Sequence, residues 1–177
     1  MLSDSLDQLR TAVRDVPDFP KPGILFKDIT PVLADARLMS LAIDGMLEFF
    51  AGQQVDKVVG IDARGFIFGA MMAQRLGAGF VPVRKKGKLP WKTRGLDYSL
   101  EYGTNSVEMH LDAIAPGERV VLADDLLATG GTADAALQLI RDSGAVLLGS
   151  VFFIELGFLE GRQKLVHSGP IHSLLTF

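Results

Sequence analysis

The chain has no cysteine, which excludes disulfides and thiolate metal sites and leaves the redox compartment open. It has no apolar run of bilayer length. Its opening, MLSDSLDQLR, is acidic and lacks an apolar segment, so neither a membrane span nor a secretory signal is predicted. Positive charge is not in excess either: 18 Lys and Arg stand against 21 Asp and Glu, a formal net charge of −3. That balance gives no electrostatic footing for nucleic acid or an anionic membrane, so any basic site must be local. The histidines, His110, His167 and His172, lack metal-ligand spacing and read as structural or exposed. What remains is an ordinary globular composition, 48% apolar and 22% charged over 177 residues. It suits one cytoplasmic domain with a sizeable core.

The most informative stretch is residues 119–143, RVVLADDLLATGGTADAALQLIRDS. Residues 120–123 read as a short strand buried on both faces. Asp124 and Asp125 follow it, then Leu126, Leu127 and the small turn Ala128, Thr129, Gly130, Gly131, Thr132. Beyond the turn, Ala133, Ala136, Leu137 and Ile140 fall at helical spacing, with Gly144 where a C-terminal cap belongs. Adjacent glycines let backbone N–H groups converge, the helix adds unpaired amides, and Thr129 and Thr132 add hydroxyls. This is chemistry for one phosphate. It is not a Walker A loop, because no Lys follows the glycines. Two carboxylates about 4 Å apart repel by roughly 4 kcal/mol at an effective dielectric near 20, so something must offset them. Ribose hydroxyls, Mg²⁺ or a cationic transition state would each do so. The plain alternative is a pair of loop acids, one of them capping a turn.

The same unit recurs at residues 57–76: strand 57–61, turn 62–65 carrying Arg64, helix 66–76. Arg64 reads as an anion contact or as a solvated surface charge. A helix is expected over residues 3–15, with Leu6, Leu9 and Val13 inward, and a second over 37–50 with Leu38, Leu41, Ala42 and Met46 inward. Between them Pro17, Pro20 and Pro22 forbid a helix. This loop is either a packing strap or a pocket wall. Residues 79–84 make a third strand. Residues 85–96, KKGKLPWKTRGL, show neither helical nor strand period and read as a basic loop, disordered or lid-like. Residues 105–110 alternate as an antiparallel strand with Val107, Met109 and Leu111 inward. Residues 145–155 are a buried strand, 156–168 a short helix or loop, and 172–177 an edge strand. Alternating strands and helices imply an α/β fold, a mostly parallel sheet with helices on both faces.

ADDLLATGGT resembles the phosphoribosyl-diphosphate signature of type I phosphoribosyltransferases, and the double Leu resembles members acting on adenine. DFPKPGILFKDITP, DARG, the KLP of residues 88–90 and YSLEYG resemble the same members, in order along nearly the whole chain; Trp91 to Gly95 depart from the pattern. The resemblance implies one domain over 1–177, with a small N-terminal hood at about 1–35, a core at about 36–177 and a flexible loop at about 85–96. It implies transfer of the phosphoribosyl group from 5-phosphoribosyl diphosphate to adenine, with Mg²⁺ held mainly through substrate, in a homodimer in which a neighbouring subunit supplies one cation. Glu101, Asp124 and Asp125 are then catalytic. Phe26 stacks on the base, the Leu25 backbone bonds its edge, and Lys27 and Tyr102 lie beside it. Arg64, Arg84, Lys85 and Lys88 take the diphosphate, and Ala128 to Thr132 the 5-phosphate. Two rivals remain: transfer to a 6-oxopurine, and a non-catalytic phosphoribosyl-diphosphate sensor, against which the lack of both spare length and net positive charge counts.

Overall fold

A computed structural model of the chain describes residues 2–99 and 104–177. The elements in order are α1 (Leu2–Ala12), β1 (Arg14–Pro17), β2 (Leu25–Asp28), α2 (Thr30–Ala34), α3 (Ala36–Glu48), β3 (Lys57–Ile61) and α4 (Gly65–Leu76). There follow β4 (Gly79–Lys85), β5 (Thr93–Ser99), β6 (Thr104–His110), β7 (Arg119–Leu127) and α5 (Gly131–Asp142). The chain finishes through β8 (Val146–Glu155), a 3₁₀ turn (Gly157–Leu159), α6 (Arg162–Leu165) and β9 (Ile171–Thr176).

Seven strands form one sheet in the order β5-β6-β4-β3-β7-β8-β9. From β4 to β9 neighbours run parallel, while the β5–β6 hairpin adds antiparallel to β4. Alternation along the central strands sends side chains to two cores. Val58, Val121, Val151 and Phe153 meet α1, α3 and α4 on one face. Val59, Val120, Leu122 and Phe152 meet α5 on the other. Strands buried on both sides carry no polar face, which is why residues 120–123 read as an unbroken apolar run. From β3 the chain steps to β4 on one side, whereas β7 lies on the other. The order therefore reverses between β3 and β7, and a crevice opens at their carboxyl ends, where open α/β sheets bind ligands.

Several elements differ from the sequence expectation. The first helix stops at Ala12 because residues 14–17 pair with 25–28 as an antiparallel hairpin, so the Pro-rich segment is the tip of a hairpin instead of a strap. Asp18 ties that tip by accepting the Gly23 N–H at 2.8 Å. Thr93 to Leu96, expected as loop, are strand residues paired with β6; glycine and charge hid the period there. Leu111 lies past the end of β6 and is exposed, not inward. In α3 the residues turned fully inward are Met39, Ala42, Ile43 and Met46, with Leu38 and Leu41 at the margin. β7 also runs further than expected, through the acids to Leu127. Its pairing with β3 ends at Ala123, but its pairing with β8 continues to Glu155.

Candidate active site

Because β7 outruns β3, Asp124 and Asp125 stand on a strand that has lost one neighbour. They are held by backbone, not by a loop. The cavity beside them, about 380 Å³, is lined by residues 61–64 and 124–133. One wall is thus the end of β3 and the turn into α4, and the other is the acid pair and the turn into α5.

The floor is the glycine turn. Gly130 precedes α5 with φ +79°, a left-handed conformation that L side chains rarely adopt. A Cβ there would also come within 2.5 Å of the Gly161 carbonyl oxygen. Gly161 is the reciprocal contact: a Cβ on it would lie 2.0 Å from the Ala128 carbonyl oxygen. Two backbones therefore touch, and the turn is braced from behind. Residues 129–133 open onto the cavity at the start of a helix of 12 residues, so unpaired amides and the positive helix end face it. The Thr132 hydroxyl is 2.9 Å from the Tyr98 hydroxyl.

The acids are compensated only in part. Asp125 pairs with Arg64 (Nε to Oδ2, 2.7 Å) and is nearly buried. The Asp124 Oδ1 accepts the Asp125 N–H at 2.9 Å and abuts Gly65, where a Cβ would stand 2.4 Å from it. Asp124 keeps some accessible surface as a residue, yet its carboxyl is enclosed. Burial first, and the Asp125 charge second, hold it well above the usual carboxylate range. Burial also raises Asp125, against the opposing pull of Arg64. A ligand that donates hydrogen bonds or positive charge to this pair removes a standing penalty.

The other predicted residues fall at graded distances from this centre. The Arg64 guanidinium lies over the Phe26 ring at 5.7 Å, so the hood meets the rim there, with Phe19 edge-on to Phe26 at 5.1 Å. Arg84 does not line the cavity but binds one of its lining acids, Asp62 (2.8 Å), and also donates to the Lys88 carbonyl (3.0 Å). Lys85, the last residue of β4, and Lys88, on the turn after it, are both exposed. Leu25 is exposed on the hood. Lys27 is turned elsewhere: its ammonium sits 2.5 Å from Asp15 Oδ1 and 4.3 Å from the centre of the Phe177 ring. Glu101 and Tyr102 lie outside the described residues. Sequence reasoning passed over Asp62, Tyr98 and Gly161. The aspartate before Ala63 and Arg64 echoes the acids of β7, whereas nothing around Tyr98 or Gly161 marks their contacts.

The acids fit a divalent cation only indirectly. Among the described residues no three acidic or histidine side chains converge as a metal cage, and Asp62 and Asp125 are already paired with arginines. Mg²⁺ here would take most of its ligands from substrate oxygens and water.

Comparison with known proteins agrees in both sequence and fold. Residues 31–168 match the phosphoribosyl transferase domain family. Adenine phosphoribosyltransferase of Anaeromyxobacter dehalogenans is 56% identical over 172 residues, covering 97% of this chain and 99% of its own. That of Bradyrhizobium is 54% identical over 170 residues, covering 96% and 95%. The crystal structure of adenine phosphoribosyltransferase from Rhodothermus marinus superposes with a TM-score of 0.94 at 54% identity, covering 99% of each chain. The Saccharomyces cerevisiae enzyme, solved with adenine and D-2,5-dideoxy-2,5-imino-altritol 1,6-bisphosphate, gives 0.92 at 40% identity, covering 97% of this chain and 99% of that one.

Proposed function

The chain belongs to the phosphoribosyl transferase family, and from that premise we infer that it transfers the 5-phosphoribosyl group of 5-phosphoribosyl diphosphate to adenine, releasing AMP and pyrophosphate in purine salvage. One observation carries the reading: a phosphate-sized amide and hydroxyl turn shares a cavity with two carboxyls that are short of positive charge. A phosphorylated ribose spans those two features, with its 5-phosphate on Ala128 to Thr132 and its hydroxyls donating to Asp124 and Asp125. As the bond from C1 to the diphosphate lengthens, the sugar gains positive charge. Carboxylates below it are worth more in that state than with the neutral sugar, which is the condition for lowering a barrier.

The leaving diphosphate faces Arg64, with Arg84, Lys85 and Lys88 further out along the same rim. Mg²⁺, when bound, supplies further positive charge to the leaving group. Arg64 is shared between Asp125 and the leaving group, so diphosphate entering the rim competes for it and leaves the acid freer to serve the sugar. Adenine N9 attacks C1 from the hood side, with Phe26 as the stacking face and Glu101 as the group that handles the purine proton. Lys27, tied to Asp15 and Phe177, braces the hood strand. The hood and the sheet act as one unit in the cytoplasm, in a homodimer whose second subunit lends a cation to the rim.

The reading is tested by product analysis with Mg²⁺ and 5-phosphoribosyl diphosphate, comparing adenine with hypoxanthine. AMP and pyrophosphate should form from adenine, with hypoxanthine slower by at least about a hundredfold, the scale on which a site built for one hydrogen-bonding edge rejects another. Comparable rates would overturn the assignment to adenine. Sedimentation velocity checks the dimer.

A further inference from the structure

β5 lies alongside α5 and is fastened to it at both ends. Arg94 donates to the Asp142 carbonyl at the C-terminal end of the helix, and the Tyr98 hydroxyl meets that of Thr132 at its N-terminal end, 2.9 Å away. Arg94, Leu96 and Tyr98 alternate onto one face of the strand, and Leu96 and Tyr98 pack on the same core as α5. The spacings agree, since ten helical residues rise about 15 Å and four strand residues about 13 Å. A rigid element, not a loop, therefore delivers the Tyr98 oxygen to the turn. Thr132 lines the cavity, whereas Tyr98 stands behind it.

A hydroxyl has one proton to give. If Thr132 donates to Tyr98, it has none for an anion in the turn. If Tyr98 donates to Thr132, the threonine proton is released toward the cavity, and the bond that Thr132 accepts strengthens the one it gives. An anion in the turn selects the second arrangement. We propose that Tyr98 is a positioning residue for the 5-phosphate: it orients the Thr132 hydroxyl proton toward a phosphate monoester and acts only through Thr132. This rests on the phosphate-turn reading given above.

Tyr98→Phe removes one oxygen and keeps the ring. Inhibition by ribose 5-phosphate and by pyrophosphate, each measured against 5-phosphoribosyl diphosphate, separates the two anion subsites. The ribose 5-phosphate inhibition constant should rise about three- to tenfold, the scale of one hydrogen bond. The pyrophosphate constant should stay within about twofold, because its cations lie on the other wall. Equal weakening of both, as a general disturbance of the fold would give, overturns the proposal, and so does no change in either. Thr132→Ala should weaken ribose 5-phosphate at least as much and cancel any further effect of Tyr98→Phe. If Thr132→Ala changes nothing, the phosphate-turn reading fails and takes this proposal with it. If Thr132→Ala weakens binding and Tyr98→Phe does not, the role of Tyr98 alone is lost.

Discussion

Asp124 and Asp125 both resist ionisation where they stand, Asp124 more strongly, because burial opposes their charge and neither is fully neutralised by Arg64. A carboxyl raised by folding keeps its proton in the native state to a higher pH than in the unfolded chain. The native state therefore loses stability as pH rises from the unfolded value, about 3.9, through the folded one, and carries the full cost above it. Asp124→Asn has no charge to bury. Its melting temperature should exceed that of the unaltered protein at neutral pH, and the gap should close below about pH 4. Turnover should fall at least about tenfold in the same variant, the size of one lost charged contact in the transition state. Melting curves across pH and a rate assay check both halves, and a variant less stable at neutral pH would contradict the first. Asp125→Asn should also cut turnover at least about tenfold. Its stability should change less than that of Asp124→Asn, because Asp125 already has the Arg64 guanidinium at 2.7 Å. Residue identity alone leaves this pair readable as loop acids; the four apolar residues before it and the glycine turn after it are what point to a site.

The turn into α5 was as legible as the acids, because its glycines, its hydroxyls and the helical spacing after it are local signals. Its support was not. Gly161 lies about thirty residues away in a segment that reads as a short helix or loop, and its own backbone is ordinary right-handed helix, φ −57°. No turn chemistry asks for glycine at that position; the Ala128 carbonyl does. Gly161→Ala should accordingly push the phosphate turn aside. The KM for 5-phosphoribosyl diphosphate should rise at least about tenfold, with the KM for adenine within about twofold, on the scale of a lost binding contact rather than a lost fold. Equal changes in both constants would mean that the segment supports the fold in general. The β5 strand was hidden for a related reason. Its first four residues, Thr93 to Leu96, include a glycine and a charge, and only pairing with Val107 to His110 makes them a strand. Long-range contacts decided both cases, and a sequence window holds none of them.

The hood and the seven-stranded sheet share one core, since Leu9, Val13, Ile29 and Val32 cluster with Val58, Val121 and Phe153. They are also joined at the surface by Phe177, whose ring lies under Arg10 at 4.8 Å and Lys27 at 4.3 Å. Its backbone completes the edge, with N–H to the Glu155 carbonyl and its carbonyl accepting from Gly157, both 2.9 Å. Phe177→Ala should lower the melting temperature by about 2–8 °C, as loss of a half-buried aromatic in a chain this long implies. It should also raise the KM for adenine while sparing that for the diphosphate, because Lys27 adjoins Phe26. Phe177→Tyr should restore both, and a variant that moves neither constant would detach the clamp from the hood. The turn between β4 and β5 carries the chain's single tryptophan, Trp91, with 55% of its surface exposed. All indole emission of the protein thus originates beside the cationic rim, so stopped-flow fluorescence can follow any rearrangement of that turn in native, unlabelled material.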